Sequence, residues 1–213
     1  MSATLGLIDY GMGNLHSVNK AFQRLDRPLK SVSSPDDLNG CEALILPGVG
    51  AFDPAMERLE ATGLVPFLKS WNQNGKPLLG ICLGLQLLFD SSSEGRRAGL
   101  GLLPGRVERL PELTGERIPH MGWAPLSVQN DCPLLQRKDG PLWVYFVHSF
   151  AARPSRPDAV AATAPFGSEV VTAMVWSGRT GACQFHPEKS SDHGALLLKR
   201  WLDWIDRGAP VPN

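Results

Sequence analysis

The chain has 213 residues, which suits one domain able to bury roughly 70% of its unfolded surface. With 43% apolar and 20% charged residues, it has the composition of an ordinary soluble globular protein. Its 21 basic and 21 acidic residues cancel, so charge gives no reason to expect nucleic acid or a membrane as partner.

The first predicted element is a strand, Leu5–Ile8, followed by a turn at Tyr10-Gly-Met-Gly13. Asn14 is placed to cap a helix from Leu15 to about Leu25, with Val18, Phe22 and Leu25 on one face. Strand, glycine turn and helix suggest a dinucleotide site, but Gly11-Met-Gly-Asn-Leu-His16 stops short of G-x-G-x-x-G and no acidic residue closes a second strand. Weak strand character at Lys30–Ser33 and firmer character at Glu42–Leu46 follow, the latter ending in Pro47-Gly-Val-Gly50. Helices are expected at about Pro54–Leu59 and Val65–Trp71. Beyond Ser91 a Ser- and Gly-rich loop, whose arginines Arg96 and Arg97 read as solvated, leads into strand-like pieces. These are Arg106–Leu110, Ala124–Val128, Leu142–Phe150, Ala159–Ala164, Val170–Trp176 and Ala182–Phe185. A helix at Ala195–Ile205 closes the chain, and the tail from Gly208 should fray. Strands alternating with helices predict an α/β fold: a three-layer sandwich around a mixed, mostly parallel sheet, as a single domain over 1–213.

Cysteines at 41, 82, 132 and 183 include no C-x-x-C pair and suggest neither zinc nor a disulfide framework. No metal and no cofactor are expected. The first residues lack the charged start and apolar core of a signal peptide, and no apolar run approaches the roughly 20 residues of a membrane span. The reduced cytoplasm is the expected location.

One stretch organises the rest. Pro77-Leu-Leu-Gly-Ile-Cys-Leu-Gly-Leu-Gln86 begins as a buried strand and passes through Cys82 into a helix running to about Phe89. A residue at such a sharp turn is strained, and glycines at 80 and 84 remove side chains that would clash. Serine hydrolases present their nucleophile in this way. Here the presented atom is a sulfur above a helix N-terminus. A lone cysteine is more often a small core residue, which is the reading for Cys41, Cys132 and Cys183. Among the five histidines, His186 follows a predicted strand directly, and Glu188 stands two residues on across a stiffening proline. His186 could instead cap a helix or lie at the surface, and His193 sits in a polar helix entry where it reads as solvated. A base and a group to orient it are what a thiol nucleophile needs. Pro47-Gly-Val-Gly50 could be only a turn, or could supply backbone N–H donors to an oxyanion.

Pro47-Gly-Val-Gly50, Gly80-Ile-Cys-Leu-Gly-Leu-Gln86 and His186-Pro-Glu188 together resemble the class I (triad) glutamine amidotransferases, over almost the whole chain. The resemblance implies Cys82 as nucleophile, His186 as base and Glu188 as its orienting acid. It also implies an oxyanion site from the N–H groups of Leu83 and the Val49–Gly50 turn, and L-glutamine as substrate, held by Gln86, Ser149 and Phe150. Ile8–Leu15, Pro119-His-Met-Gly-Trp123, Tyr145–Phe150 and His186-Pro-Glu-Lys-Ser190 resemble one branch, the glutaminase subunit of imidazole glycerol phosphate synthase. Ala124 stands where that branch commonly has Asn. The branch implies a separate cyclase subunit with a barrel fold, bound as a heterodimer. It would use the ammonia to convert N1-phosphoribulosyl-formimino-AICAR phosphate to imidazole glycerol phosphate and AICAR. A barrel alone needs about 250 residues, so it is not in this chain. Asn14, Met121, Trp123 and Lys189 resemble positions at that interface; Met121 and Trp123 could equally be core residues. Glutaminases of anthranilate or aminodeoxychorismate synthase share the Cys82 core and remain an alternative. So do a partner subunit without catalysis and a cysteine peptidase on a similar elbow.

Overall fold

A computed structural model describes residues 3–112 and 115–211. Its elements run β1 (Leu5–Ile8), α1 (Leu15–Gln23), β2 (Leu29–Val32), β3 (Ala43–Gly48), α2 (Phe52–Ala61), α3 (Val65–Gln73), β4 (Leu78–Cys82) and α4 (Leu83–Leu87). The second half adds β5 (Ser91–Ser92), β6 (Gly105–Arg109), β7 (His120–Pro125), β8 (Ser127–Val128), β9 (Trp143–His148) and β10 (Phe150–Pro154). It ends with β11 (Val160–Phe166), β12 (Glu169–Ser177), β13 (Thr180–Cys183) and α5 (Ser191–Asp206).

Eight strands form the central sheet in the order β2-β1-β3-β4-β13-β12-β11-β8. Pairing is parallel from β2 to β13 and antiparallel from β13 to β8. Successive strand residues face opposite ways, and the core divides accordingly. Leu5, Leu7, Ala43, Ile45, Leu79 and Ile81 pack on one face with Val18 and Phe22 of α1 and Leu198 and Trp201 of α5. Ile8, Leu44, Leu46 and Leu78 pack on the other with Phe52, Met56 and Leu59 of α2, Leu68 of α3 and Leu85 of α4. The sheet is therefore the middle of three layers, as the alternating pattern predicts. Among the described residues no helix is long and apolar enough to cross a membrane.

Three motif-bearing strands are immediate neighbours. Gly48 pairs with Cys82 across β3 and β4, and Ile81 pairs with Cys183 across β4 and β13. Their carboxyl ends open into one crevice, where ligands of parallel sheets bind.

Several boundaries differ from expectation. The run Leu142–Phe150 is two strands, β9 pairing with β7 and β10 with β6, with Ser149 at the joint. Ala124–Val128 is likewise divided between β7, in that small sheet, and β8, on the edge of the large one. The strand expected to reach Phe185 ends at Cys183; the Gln184 N–H still donates to the Ala173 carbonyl of β12, and the His186 N–H then turns to the Tyr145 carbonyl of β9. The α4 helix stops at Leu87, two residues short of the expected end. Leu87 and Leu88 then turn their carbonyls to the N–H groups of Leu100, Leu102 and Leu103 in the following loop. So short a helix supplies less macrodipole beneath Cys82 than a full one would.

The tail is anchored as far as Pro210, contrary to the expected fraying. The Trp204 indole N–H donates to the Pro210 carbonyl at 2.8 Å, and the Arg179 Nε–H donates to the Ala209 carbonyl at 2.6 Å. Residues 212 and 213 lie outside the described residues.

Candidate active site

Cys82 closes β4 and stands at φ 56°, ψ −111°, a left-handed conformation that an L-residue adopts only at a cost of order 1–3 kcal/mol. Its glycine neighbours serve close packing. A Cβ on Gly84 would lie 1.8 Å from the Leu46 carbonyl oxygen, and one on Gly80 would lie 2.9 Å from the Ala182 Cβ. The absent side chains let α4 press directly onto β3 and so fix the turn that carries Cys82.

His186 follows β13 and faces Cys82; its Nδ1 lies 2.7 Å from Glu188 Oε1, with both side chains buried. Burial by itself lowers the imidazole pKa. The hydrogen bond to the Cys82 sulfur and the Glu188 carboxylate more than offset this and raise it to about 9. Such a ring is a strong base held in place by its carboxylate partner. The other Glu188 oxygen, Oε2, is buried without a hydrogen-bond partner among the described residues, which leaves the imidazolium as the main compensation for that charge. Cys82, His186 and Glu188 are thus brought together in the order a thiol nucleophile requires.

A cavity of about 300 Å³ lies above the sulfur, lined among others by Val49, Gly50, Leu83, Gln86, Glu94, His148, Ser149 and Phe150. All of the expected oxyanion and substrate residues therefore line one space. Gln86 sits one turn after Cys82 and is buried. Its Nε2 donates to the Phe150 carbonyl and to Gln184 Oε1, each at 3.1 Å. Both amide hydrogens are engaged, so the atom Gln86 can offer a ligand is its own carbonyl oxygen.

The expected oxyanion donors are not equivalent. Leu83 N–H opens α4, at the residue following the sulfur. The Val49 N–H instead donates to the Met12 carbonyl at 3.0 Å. Gly50 has φ 102°, which a non-glycine residue would not tolerate, and a Cβ there would meet the Met12 side chain at 2.8 Å. For the Val49 N–H, the donor of the Gly48–Val49 peptide, to aim into the cavity, its bond to Met12 must break.

The partner-facing candidates fall outside this cavity. Met121 is 63% and Trp123 49% exposed, which excludes core packing for both. They project from the outer face of β7, where Trp123 pairs with Tyr145 of β9. Lys189 is also exposed. Asn14 caps α1, its side-chain oxygen accepting the Ser17 N–H at 3.2 Å. Ala124 is buried against β9, opposite Val144, so its apolar side chain suits its surroundings.

Sequence reasoning missed four residues of the site. Gln184, fully buried, holds Gln86 and sets its Nε2 3.8 Å from the Cys82 sulfur. In the sequence Gln184 is only a polar residue in an apolar run two positions before His186, which does not mark it as part of the site. Tyr10 donates its hydroxyl to the Pro47 carbonyl at 2.9 Å and braces the Pro47–Gly50 turn; burial, with Cys82 nearby, pushes its pKa up. His148 is buried at the cavity wall. Glu94 reaches the cavity from the loop read as solvated, and its Oε2 accepts the Phe52 N–H at 2.9 Å. That loop is pinned: Asp53 accepts the backbone N–H groups of Arg96 and Arg97, whose bonds hold its carboxyl below the usual range, and Arg97 pairs with Glu60. His193 is also less solvated than expected, with Nδ1 3.1 Å from the Trp143 nitrogen.

The other thiols are poor nucleophile candidates. Burial pushes Cys132 up to about 11, and pushes Cys183 well above the usual thiol range with Glu188 and Cys82 adding.

Known proteins resemble this chain in sequence and in fold. The sequence model for "Glutamine amidotransferase class-I" matches residues 6–203. The chain is 65% identical to "Imidazole glycerol phosphate synthase subunit HisH 2" of Parasynechococcus marenigrum (strain WH8102), over 99% of this chain and 100% of that protein. It is 48% identical to the HisH subunit of Prochlorococcus marinus subsp. pastoris (strain CCMP1986 / NIES-2087 / MED4), over 95% of this chain and 99% of that one. Among solved structures, a glutamine amidotransferase superposes with a TM-score of 0.75 at 23% identity, covering 97% of this chain and 100% of that one. Thermotoga maritima PurLQS also superposes with a TM-score of 0.75, at 19% identity, covering 96% and 100%; these two likenesses speak to the fold. The chain belongs to the class-I glutamine amidotransferase family, and its high-identity relatives are HisH subunits of imidazole glycerol phosphate synthase.

Proposed function

We propose that this chain is the glutaminase subunit of an imidazole glycerol phosphate synthase, a single amidotransferase domain that hydrolyses L-glutamine and hands the ammonia to a cyclase subunit in histidine biosynthesis. The observation that carries the chemistry is the buried 2.7 Å His186–Glu188 pair facing a strained Cys82 at the floor of a cavity. Full-length relatives named as HisH subunits support the choice of synthase. A cytoplasmic location belongs to the same reading, in keeping with four unpaired cysteines.

The chemistry follows from the residues. Cys82 thiolate attacks the carboxamide carbon of glutamine while His186, as imidazolium, holds the thiol proton. Leu83 N–H and the Val49 N–H, once released from the Met12 carbonyl, stabilise the oxyanion. As the C–N bond breaks, His186 gives its proton to the departing nitrogen, releasing ammonia and leaving a glutamyl thioester. Water, deprotonated by His186, attacks the thioester; the C–S bond breaks, and glutamate and the thiolate are released. Gln86 Oε1 and the Glu94 carboxylate supply acceptors for the substrate's α-ammonium group, and the Ser149–Phe150 backbone lies beside its amino-acid end.

The partner in this reading is a cyclase with a barrel fold, docked as a heterodimer over the outer face of β7 and β9. Exposed Met121, Trp123 and Trp143 support that choice, Lys189 lines one groove with Trp123, and Asn14 is assigned to the interface by the resemblance alone. The Val49–Met12 hydrogen bond gives the partner something to control, because the Val49 N–H cannot turn into the cavity while that bond holds. Glutamine hydrolysis should therefore be slow in the isolated chain, faster with the cyclase and fastest with cyclase and its nucleotide bound. Equal rates in all three states would contradict this control.

A further inference from the structure

His148 and His120 take no part in the chemistry above, yet they form a connected pair beside it. They lie directly opposite one another on β9 and β7. His120 Nδ1 is 3.3 Å from His148 Nε2, and His148 Nδ1 is 2.8 Å from the Phe150 carbonyl oxygen. The His120 ring stacks on Phe146 with centroids 4.8 Å apart and planes 17° apart. His148 is only 5% exposed.

These contacts fix the protons. A carbonyl only accepts, so His148 Nδ1 must carry hydrogen. A neutral His148 then has a bare Nε2, and His120 Nδ1 must donate to it. Burial keeps both rings neutral, pulling His148 down to about 4 and lowering His120. The chain of donors ends on the same Phe150 oxygen that accepts from Gln86 Nε2. That oxygen therefore receives two hydrogen bonds, one from the glutamine-side wall and one from the histidine pair.

We propose that His120 and His148 are positioning residues: a neutral, directionally hydrogen-bonded pair that clamps the Phe150 carbonyl and, through it, the Gln86 amide and the Ser149–Phe150 backbone in the geometry that binds L-glutamine. The proposal rests on the glutaminase reading. It assigns the pair to substrate binding, not to proton transfer.

The test uses the complex with the cyclase subunit and L-glutamine. His148→Ala should raise the glutamine KM about tenfold, roughly one lost hydrogen bond, while kcat stays within about twofold. His148→Asn, which keeps a donor near the Nδ1 position, should recover most of that loss. His120→Phe keeps the aromatic stack but removes the donor, and should raise KM by about threefold. An unchanged KM in His148→Ala, a fall in kcat at constant KM, or an Asn variant no better than Ala would overturn the proposal. If His148→Ala does not fold, His120→Phe decides by the same KM criterion. Nitrogen-15 NMR of the wild-type chain gives an independent readout: His148 should be protonated at Nδ1 and bare at Nε2 through neutral pH. An Nε2–H tautomer would overturn the pair even with normal kinetics. A wild-type complex that hydrolyses no glutamine would overturn the glutaminase reading instead, leaving the tautomer to decide the geometry.

Discussion

At Cys82 the local sequence and the local geometry express one constraint. A φ of 56° is costly for cysteine, and the packing of Gly80 and Gly84 against neighbouring strands is what holds it there. That much was legible from the glycine spacing, as was the His186-Pro-Glu188 partner. Gln184 and His148 were not, because a polar residue inside an apolar strand looks the same whether it is tolerated or required; only its neighbours in space decide. His186 allows a prediction with a defined sign. Its folded pKa of about 9 lies above the ordinary 6.5, so its contribution to stability is full below pH 6.5 and is lost as pH rises through about 9. Glu188→Gln removes one of the groups that raise it while burial remains, so the folded pKa should fall and this window should narrow. Urea unfolding at pH 6.5 and 9.5 should show a smaller difference in the variant than in the wild type. Glutamine hydrolysis should drop about 100-fold or more, since the imidazole loses its orienting charge.

Among the elements, the assembly depends most on how closely α4 approaches β3. The strand pattern predicted β1, β3 and β4 well, because strands buried on both faces read as continuous apolar runs. It failed where one apolar run served two sheets. Leu142–Phe150 looks continuous, but the chain bends at Ser149, and that bend sets His148 and Phe150 at the cavity wall. The Glu94 loop looked solvated for a related reason: Asp53 and Phe52, more than forty positions earlier, hold it through contacts no local pattern announces. Gly84→Ala tests the close approach. With a Cβ 1.8 Å from a strand carbonyl, β3 or α4 must move. The expected cost is about 3 kcal/mol in denaturant unfolding, with loss of Cys82 alkylation by glutamine analogues in the folded fraction. Near wild-type stability would mean that the elbow tolerates displacement.

For the whole molecule, the three-layer architecture and the order of motifs were legible because β3, β4 and β13 each carry one motif to the same sheet end. The resemblance supplied the substrate and the partner, which length and composition do not name. In the proposed reading that partner docks on the exposed Met121 and Trp123 of β7. Trp123→Ala should weaken cyclase binding by about tenfold or more in calorimetry, the scale of an aromatic anchor. An unchanged Kd would move the interface elsewhere. The central claim is that Cys82 makes ammonia for a second active site, and one measurement addresses it most directly. In the reconstituted complex, Cys82→Ala should abolish glutamine-dependent formation of imidazole glycerol phosphate yet retain the activity supported by added ammonium. Full glutamine-dependent activity in that variant would contradict the account.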